Sequence, residues 1–127
     1  MPRPTIAIIG ASPDRAKFGN KAVRAYAGQG FDVYPVNPKG GTIEGLTAYR
    51  SLSEVPLKSF DRISVYLPPA LGLAALDEIA RCGCGELWLN PGADSPEVIA
   101  KAESLGLNVV QACSIVDIGV SPSTLDV

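Results

Sequence analysis

The stretch Ile6–Arg15 reads IAIIGASPDR, and the run that answers it, Tyr34–Gly41, reads YPVNPKGG. Thr5–Ile9 is a short β-branched run, apolar at successive positions, which is how a strand buried on both faces of a parallel sheet reads. It breaks at Gly10-Ala11-Ser12-Pro13, a turn whose small residues let backbone N–H groups come close to an anion. A helix is expected from Phe18 or Gly19, with Asn20 in its first turn and Ala22, Val23, Tyr26 and Ala27 on its inner face. Gly28 and Gly30 end it, and Phe31–Val36 forms the next strand. Strand, helix and strand make a βαβ unit, whose right-handed crossover sets the two strands parallel.

The rest of the chain repeats this alternation. Gly45–Tyr49 reads as irregular or briefly extended, and Ser53-Glu54-Val55 as one helical turn closed by Pro56. Asp61–Leu67 is a third strand stopped by Pro68-Pro69. A helix over 70–81 carries Leu73, Leu76, Ile79 and Ala80 along one side and is broken by Gly83 and Gly85. Glu86–Asn90 is a fourth strand stopped by Pro91-Gly92. Ser95 caps a helix with Pro96 at its first position; it buries Val98, Ile99, Ala102 and Leu105, and Gly106 ends it. Asn108–Ala112 is a fifth strand, and the tail from Cys113 lies over the sheet or across a neighbouring chain. The expected architecture is a single α/β domain over residues 1–127: a Rossmann-like, doubly wound, five-stranded parallel sheet with helices on both faces.

Composition narrows the function. With 127 residues, 46% hydrophobic and 19% charged, the chain is in the globular range. The net charge of −2 hides an asymmetry, since residues 1–50 carry +4 and the remainder −6. The basic half coincides with the two candidate phosphate segments, which suits a polyanionic small ligand. Nucleic acid would call for a broader basic face and exposed aromatics. Three cysteines without a CxxC pair, and no histidine, make neither a disulfide framework nor a zinc site, and a reducing cytoplasm is expected. The run Ile6–Ile9 is too short for a signal or a membrane span.

In a doubly wound sheet, ligands bind outside the carboxyl ends of the strands, where the strand order reverses. The loops there are Gly10–Lys17, Asn37–Gly41, Leu67–Ala70 and Asn90–Ala93, all rich in Gly, Pro, Ser or Asn. The first departs from GxGxxG, with no second glycine until Gly19. Ser12 can donate, and Arg15 and Lys17 can reach an anion at the helix N-terminus. An NAD site wants a carboxylate after the second strand. This chain has Asn37, Pro38 and Lys39, whose cation suits a ribose phosphate: the 3′-phosphate of coenzyme A or the 2′-phosphate of NADP.

The order IGAS, PVNPKGG, VYLPPA, LWLNPG and GLNVV resembles the coenzyme A-binding domain family over residues 4–115. It is most similar to the small stand-alone members, and also to the corresponding domain of the succinyl-coenzyme A synthetase α subunit. The resemblance implies that Gly10, Ala11 and Ser12 contact the diphosphate and that Asn37, Pro38 and Lys39 hold the phosphorylated adenosine. It further implies that Leu67, Pro68 and Pro69 wall the pantetheine or adenine, while Asn90, Pro91 and Gly92 close the far side.

Small relatives often carry a basic residue before a cysteine that follows the last strand; here Ala112 precedes Cys113. That thiol is either a small buried hydrophobe or, with a low pKa, a partner for the coenzyme thiol. Cys82 and Cys84 read as structural, and Trp88 as core. The ligase relatives pass phosphate through a histidine that this chain lacks, and no Ser/His/Asp set exists, so no catalytic or metal-ligating residues are assigned. The expectation is non-catalytic binding of coenzyme A or an acyl-coenzyme A. Its alternatives are an NADP(H)-linked oxidoreductase or sensor module, and the coenzyme A-binding subunit of a multi-chain ligase. A homo-oligomer or a partner enzyme subunit stays open; no nucleic acid or membrane partner is expected.

Overall fold

The structure is a computed structural model and describes residues 3–125. Its main elements are β1 (Thr5–Ile9), α1 (Phe18–Gly28), β2 (Asp32–Val36), β3 (Thr42–Ile43), β4 (Leu46–Thr47), β5 (Phe60–Val65), α2 (Pro69–Cys82), β6 (Cys84–Leu89), α3 (Pro96–Ser104), β7 (Val109–Val110) and α4 (Ser114–Asp117). Short 3-10 turns at Leu52–Glu54 and Pro122–Leu125 complete them. Five strands form one sheet in the order β2-β1-β5-β6-β7, every pair parallel. The chain first steps outward from β1 to β2, then crosses back to β5 and continues the other way. The order therefore reverses between β1 and β5, which defines where a crevice opens.

Alternation along the central strands divides the apolar residues between two cores. Ala7 and Ile9 face Leu76, Ile79, Val98 and Ala102 of α2 and α3, together with Ile63, Val65, Leu87 and Leu89. Ile6 and Ile8 face Ala22, Val23 and Tyr26 of α1 and Ile115 of α4. Ile6, Ala7 and Ile8 are fully buried, and each isoleucine contributes about 1.5–3 kcal/mol. α3 starts as its sequence requires: Ser95 Oγ accepts from Val98 N at 3.2 Å, with Pro96 first in the helix.

Several boundaries differ from expectation. Ala27, still within α1, is exposed and Ala25 is buried instead, because Ala22, Ala25 and Tyr26 share the packed face at i, i+3 and i+4 spacing. Leu105 is 38% exposed; it caps α3, and Leu107 folds back to the core through a 3.1 Å bond to Ala102 O. Gly85 lies within β6 rather than ahead of it. A Cβ there would stand 2.9 Å from Asp61 O, so a glycine permits that strand pair to approach. The third strand of the sheet ends at Val65, not Leu67: Tyr66 N makes a last bond to Ile9 O at 2.8 Å, and Leu67 turns out ahead of Pro68. The 45–49 segment is ordered as the second half of the β3–β4 hairpin.

The tail folds back over the α1 face. Tyr26 Oη donates to Ser114 O at 2.8 Å, and Arg24 Nη2 to Leu125 O at 2.9 Å. Arg62 of β5 ties these layers together. It pairs with Asp117 at 2.9 Å and Glu86 at 3.2 Å, donates to Tyr26 Oη at 3.0 Å and stacks 4.8 Å above Trp88. Among the described residues no helix is long and apolar enough to cross a membrane.

Candidate functional site

At the β1–β5 reversal a cavity of about 460 Å³ opens between the strand-end loops. Of the residues singled out in the sequence, Gly10, Lys17, Leu67, Pro68, Pro69, Asn90, Pro91 and Gly92 line it. Phe18, Gly19, Tyr66, Ala93 and Cys113 join them. The lining is largely apolar, and among the described residues Lys17 is its one charged side chain. Ala11, Ser12, Arg15, Asn37, Pro38 and Lys39 stand off this lining. β2, which leads into Asn37–Lys39, lies on the far side of β1 from β5 and β6. From β2 to β6 is three strand spacings, about 14 Å, so only an elongated molecule reaches both ends.

Two glycines shape the near wall. Gly10 has φ +90, and a Cβ on it would fall 2.6 Å from Tyr66 O. Gly19, in the first turn of α1, sits so close to the loop that a Cβ would lie 2.1 Å from Gly10 O. Gly19 thus performs the close helix–loop packing that a third fingerprint glycine performs in a dinucleotide site, at a different spacing.

The β1–α1 loop is held from behind by side chains. Asn37 Nδ2 donates to Ala11 O at 2.7 Å, Asn20 Nδ2 to Ser12 O at 2.9 Å, and Arg24 Nη2 to Arg15 O at 2.8 Å. Three carbonyls that would repel an anion are thereby engaged. The amides of Gly10 and Ala11 are engaged as well, both donating to Val36 O at 3.2 Å. Ser12 Oγ accepts from Asp14 N at 3.0 Å, and Arg15 pairs with Glu44 at 3.1 Å. The positive features that face solvent are the N-terminus of α1, which no side chain caps, and the exposed Arg15, Lys17 and Lys39. The amides of Phe18 and Gly19 lie ahead of the first helical bonds, which Asn20 N and Lys21 N make to Lys17 O at 3.1 and 3.0 Å. Lys39 stands on an Asx turn, its N–H donating to Asn37 Oδ1 at 2.8 Å.

The floor is a buried polar network that the sequence did not announce. Asn90, 1% exposed, donates through Nδ2 to Ser64 Oγ at 2.8 Å and Val65 O at 2.9 Å, and accepts from Ser114 N at 2.9 Å. Ser114 Oγ lies 2.8 Å from Ser64 Oγ and 3.2 Å from Tyr66 Oη. Burial pushes the Tyr66 phenol up to about 12 against the pull of its bonds to Ser114 and Ser64. The network fixes the Tyr66 ring as cavity wall and pins α4 beneath it. Only the position of Asn90 at a strand end hinted at this; Ser64 and Ser114 look like ordinary serines in sequence. Cys113, half-buried, lines the cavity one residue ahead of α4. Cys84 is raised to about 11 by burial, then by Cys82 and Glu86, which fits an inert thiol. Among the described residues no group of three or more His, Cys, Asp or Glu could hold a metal.

Sheet order defines a doubly wound, Rossmann-like α/β domain, with its cavity at the strand-order reversal. More narrowly, the chain belongs to the CoA binding domain family, whose pattern matches residues 4–119. It is 36% identical to a conserved hypothetical protein of Pyrococcus furiosus, with a TM-score of 0.78 over 91% of this chain and 98% of that one. A Thermus thermophilus structure is 31% identical with a TM-score of 0.82, covering 91% and 87%. Among larger proteins, the α subunit of the ADP-forming acetate–CoA ligase II of P. furiosus is 30% identical over 83% of this chain and 25% of its own length. The ADP-forming acetate–CoA ligase I of Archaeoglobus fulgidus is 29% identical over 83% of this chain and 17% of its length. The chain thus spans a quarter or less of the length of these ligases.

Proposed function

We propose that this chain binds coenzyme A or an acyl-coenzyme A and catalyses nothing by itself. The observation that supports it is the cavity at the strand-order reversal in a chain of the CoA binding domain family, bounded by the uncapped N-terminus of α1 and Lys17. In this reading the diphosphate meets the first-turn amides of α1 and Lys17, with Gly10, Ala11 and Ser12 shaping the loop beside it. The ribose phosphate meets Lys39, on the loop that Asn37 and Pro38 form. The apolar wall of Leu67, Pro68 and Pro69 takes the pantetheine or adenine, and Asn90, Pro91 and Gly92 close the far side.

Thermal denaturation with added ligand tests it. Coenzyme A at a hundred times its dissociation constant should stabilise the fold by about 2.7 kcal/mol, dephospho-coenzyme A should do less, and NADPH should have no effect. A shift with NADPH and none with coenzyme A would overturn the reading.

A second reading is favoured by the absence of histidine from these 127 residues and by the ligase-subunit relative: the chain serves as the coenzyme-holding part of an assembly whose phosphoryl-transfer residue lies on another chain. Co-purification with such a polypeptide would support it, and a lone, ligand-saturated protein would count against it.

A further inference from the structure

We propose that Glu44 is a positioning residue for the anion-binding part of this site, holding the β1–α1 loop and Arg15 ready for a phosphate group. The inference rests on the coenzyme reading above and adds a residue that the sequence did not single out.

Glu44 is the one non-glycine residue with positive φ among the described residues, at φ 51. It occupies the two-residue turn of the β3–β4 hairpin with Gly45, φ 78. Such turns favour Asn-Gly or Gly-Gly, because both central residues need left-handed backbone. A glutamate there is disfavoured and persists where its surroundings hold it in place. The surroundings are specific. Oε1 accepts from Arg15 Nη1 at 3.1 Å, and Oε2 accepts from Asn20 Nδ2 at 3.0 Å.

Asn20 carries the effect into the loop. It is fully buried, the same Nδ2 donates to Ser12 O at 2.9 Å, and its Oδ1 accepts from Arg24 Nε at 2.7 Å. Arg24 in turn donates to Arg15 O at 2.8 Å. The carboxylate therefore sets the orientation of the Asn20 amide, and that amide sets the loop. It also holds Arg15 through one of the roughly five N–H donors of a guanidinium. Arg15 remains 55% exposed, so its other donors can meet a phosphate. A carboxylate beside an anion site would be unfavourable alone; here its charge is offset by Arg15 and the Asn20 amide.

The test compares the wild-type protein with Glu44→Gly and Glu44→Gln by calorimetric titration of coenzyme A at two salt concentrations, beside thermal unfolding of each free protein. Glycine adopts positive φ without steric cost, so Glu44→Gly should keep its unfolding midpoint within about 3 °C while affinity falls about tenfold. Its salt dependence should become steeper, because Arg15 keeps its charge and loses its counter-ion. Glu44→Gln, which keeps an acceptor for Asn20 without the charge, should lose about threefold. Arg15→Ala should weaken binding in the wild-type background and add little in Glu44→Gly.

Unchanged affinity in both variants, additive loss with Arg15→Ala, or affinity loss only in step with lost stability would overturn the inference. Tighter binding would too, since Glu44 would then be competing for Arg15. Heat with the wild type but no difference among variants would sink this inference alone. No heat with the wild type would sink the coenzyme reading, and this inference with it.

Discussion

Replacing Gly19 with alanine tests the wall of the cavity with one methyl group. The added Cβ would stand 2.1 Å from Gly10 O, 3.0 Å from Gly10 C and 3.2 Å from Ala11 Cα, whereas real Cβ atoms stay at least 3.0 Å from such neighbours. The first turn of α1 and the loop must then separate by about 1 Å. Both are backbone, so no flexible side chain can yield. Overpacking of this kind costs about 1–3 kcal/mol, and the better helix propensity of alanine recovers at most about 1 kcal/mol. The net loss should be about 1–2 kcal/mol, a fall of roughly 3–10 °C in midpoint.

Gly28→Ala supplies the control. It lies in the same helix, in a residue with nothing within 4 Å and no positive φ, and it should be neutral or gain about 0.5–1 kcal/mol. Urea unfolding followed by Trp88 fluorescence measures both. Coenzyme A affinity should fall about tenfold in Gly19→Ala, because Gly10 and Gly19 both line the cavity, and be unchanged in Gly28→Ala. Equal unfolding free energies in the two variants, within about 0.5 kcal/mol, would refute the packing argument.

Further expectations follow from the same geometry. Lys39→Glu should weaken coenzyme A about tenfold and dephospho-coenzyme A little; equal losses in calorimetry would remove the phosphate role of Lys39. Asn90→Ala breaks bonds to Ser64, Val65 and Ser114 and should cost about 2–4 kcal/mol. Hydrogen exchange should then show α4 opening, and native-like protection there would count against the network. The raised pKa values of Tyr66, about 12 against 10.0, and Cys84, about 11 against 9.0, give a direction with pH. Between those values the folded protein holds protons that the unfolded chain has released, so this stability is complete below about pH 9 and is lost as pH rises toward 12. Absorbance titration at tyrosinate wavelengths should show Tyr66→Phe lacking a late-ionising tyrosine; an unchanged late step would exclude Tyr66 as its source.

Much of this architecture can be read from short windows of sequence. Ile6–Ile9, Ile63–Val65 and Leu87–Leu89 announce buried strands because alternation and β-branching are local properties. Ser95-Pro96 and the glycine stops at 83 and 106 announce helix ends because capping involves only a few neighbouring residues. Those windows also place Gly10, Lys17, Leu67–Pro69 and Asn90–Gly92 at one edge of the sheet, since every parallel strand delivers its carboxyl end to the same side. Within-chain periodicity is silent about what meets across that edge. Gly19 belongs against Gly10 only because α1 packs back over the β1 loop. Ser64, Asn90 and Ser114 meet only because β5, β6 and α4 converge, and Glu44 reaches Asn20 only because the hairpin folds beside α1. Local propensity is set by bonds along the chain, but these contacts join residues from 9 to 50 positions apart, and only the packing of helices, hairpin and sheet together brings them within reach.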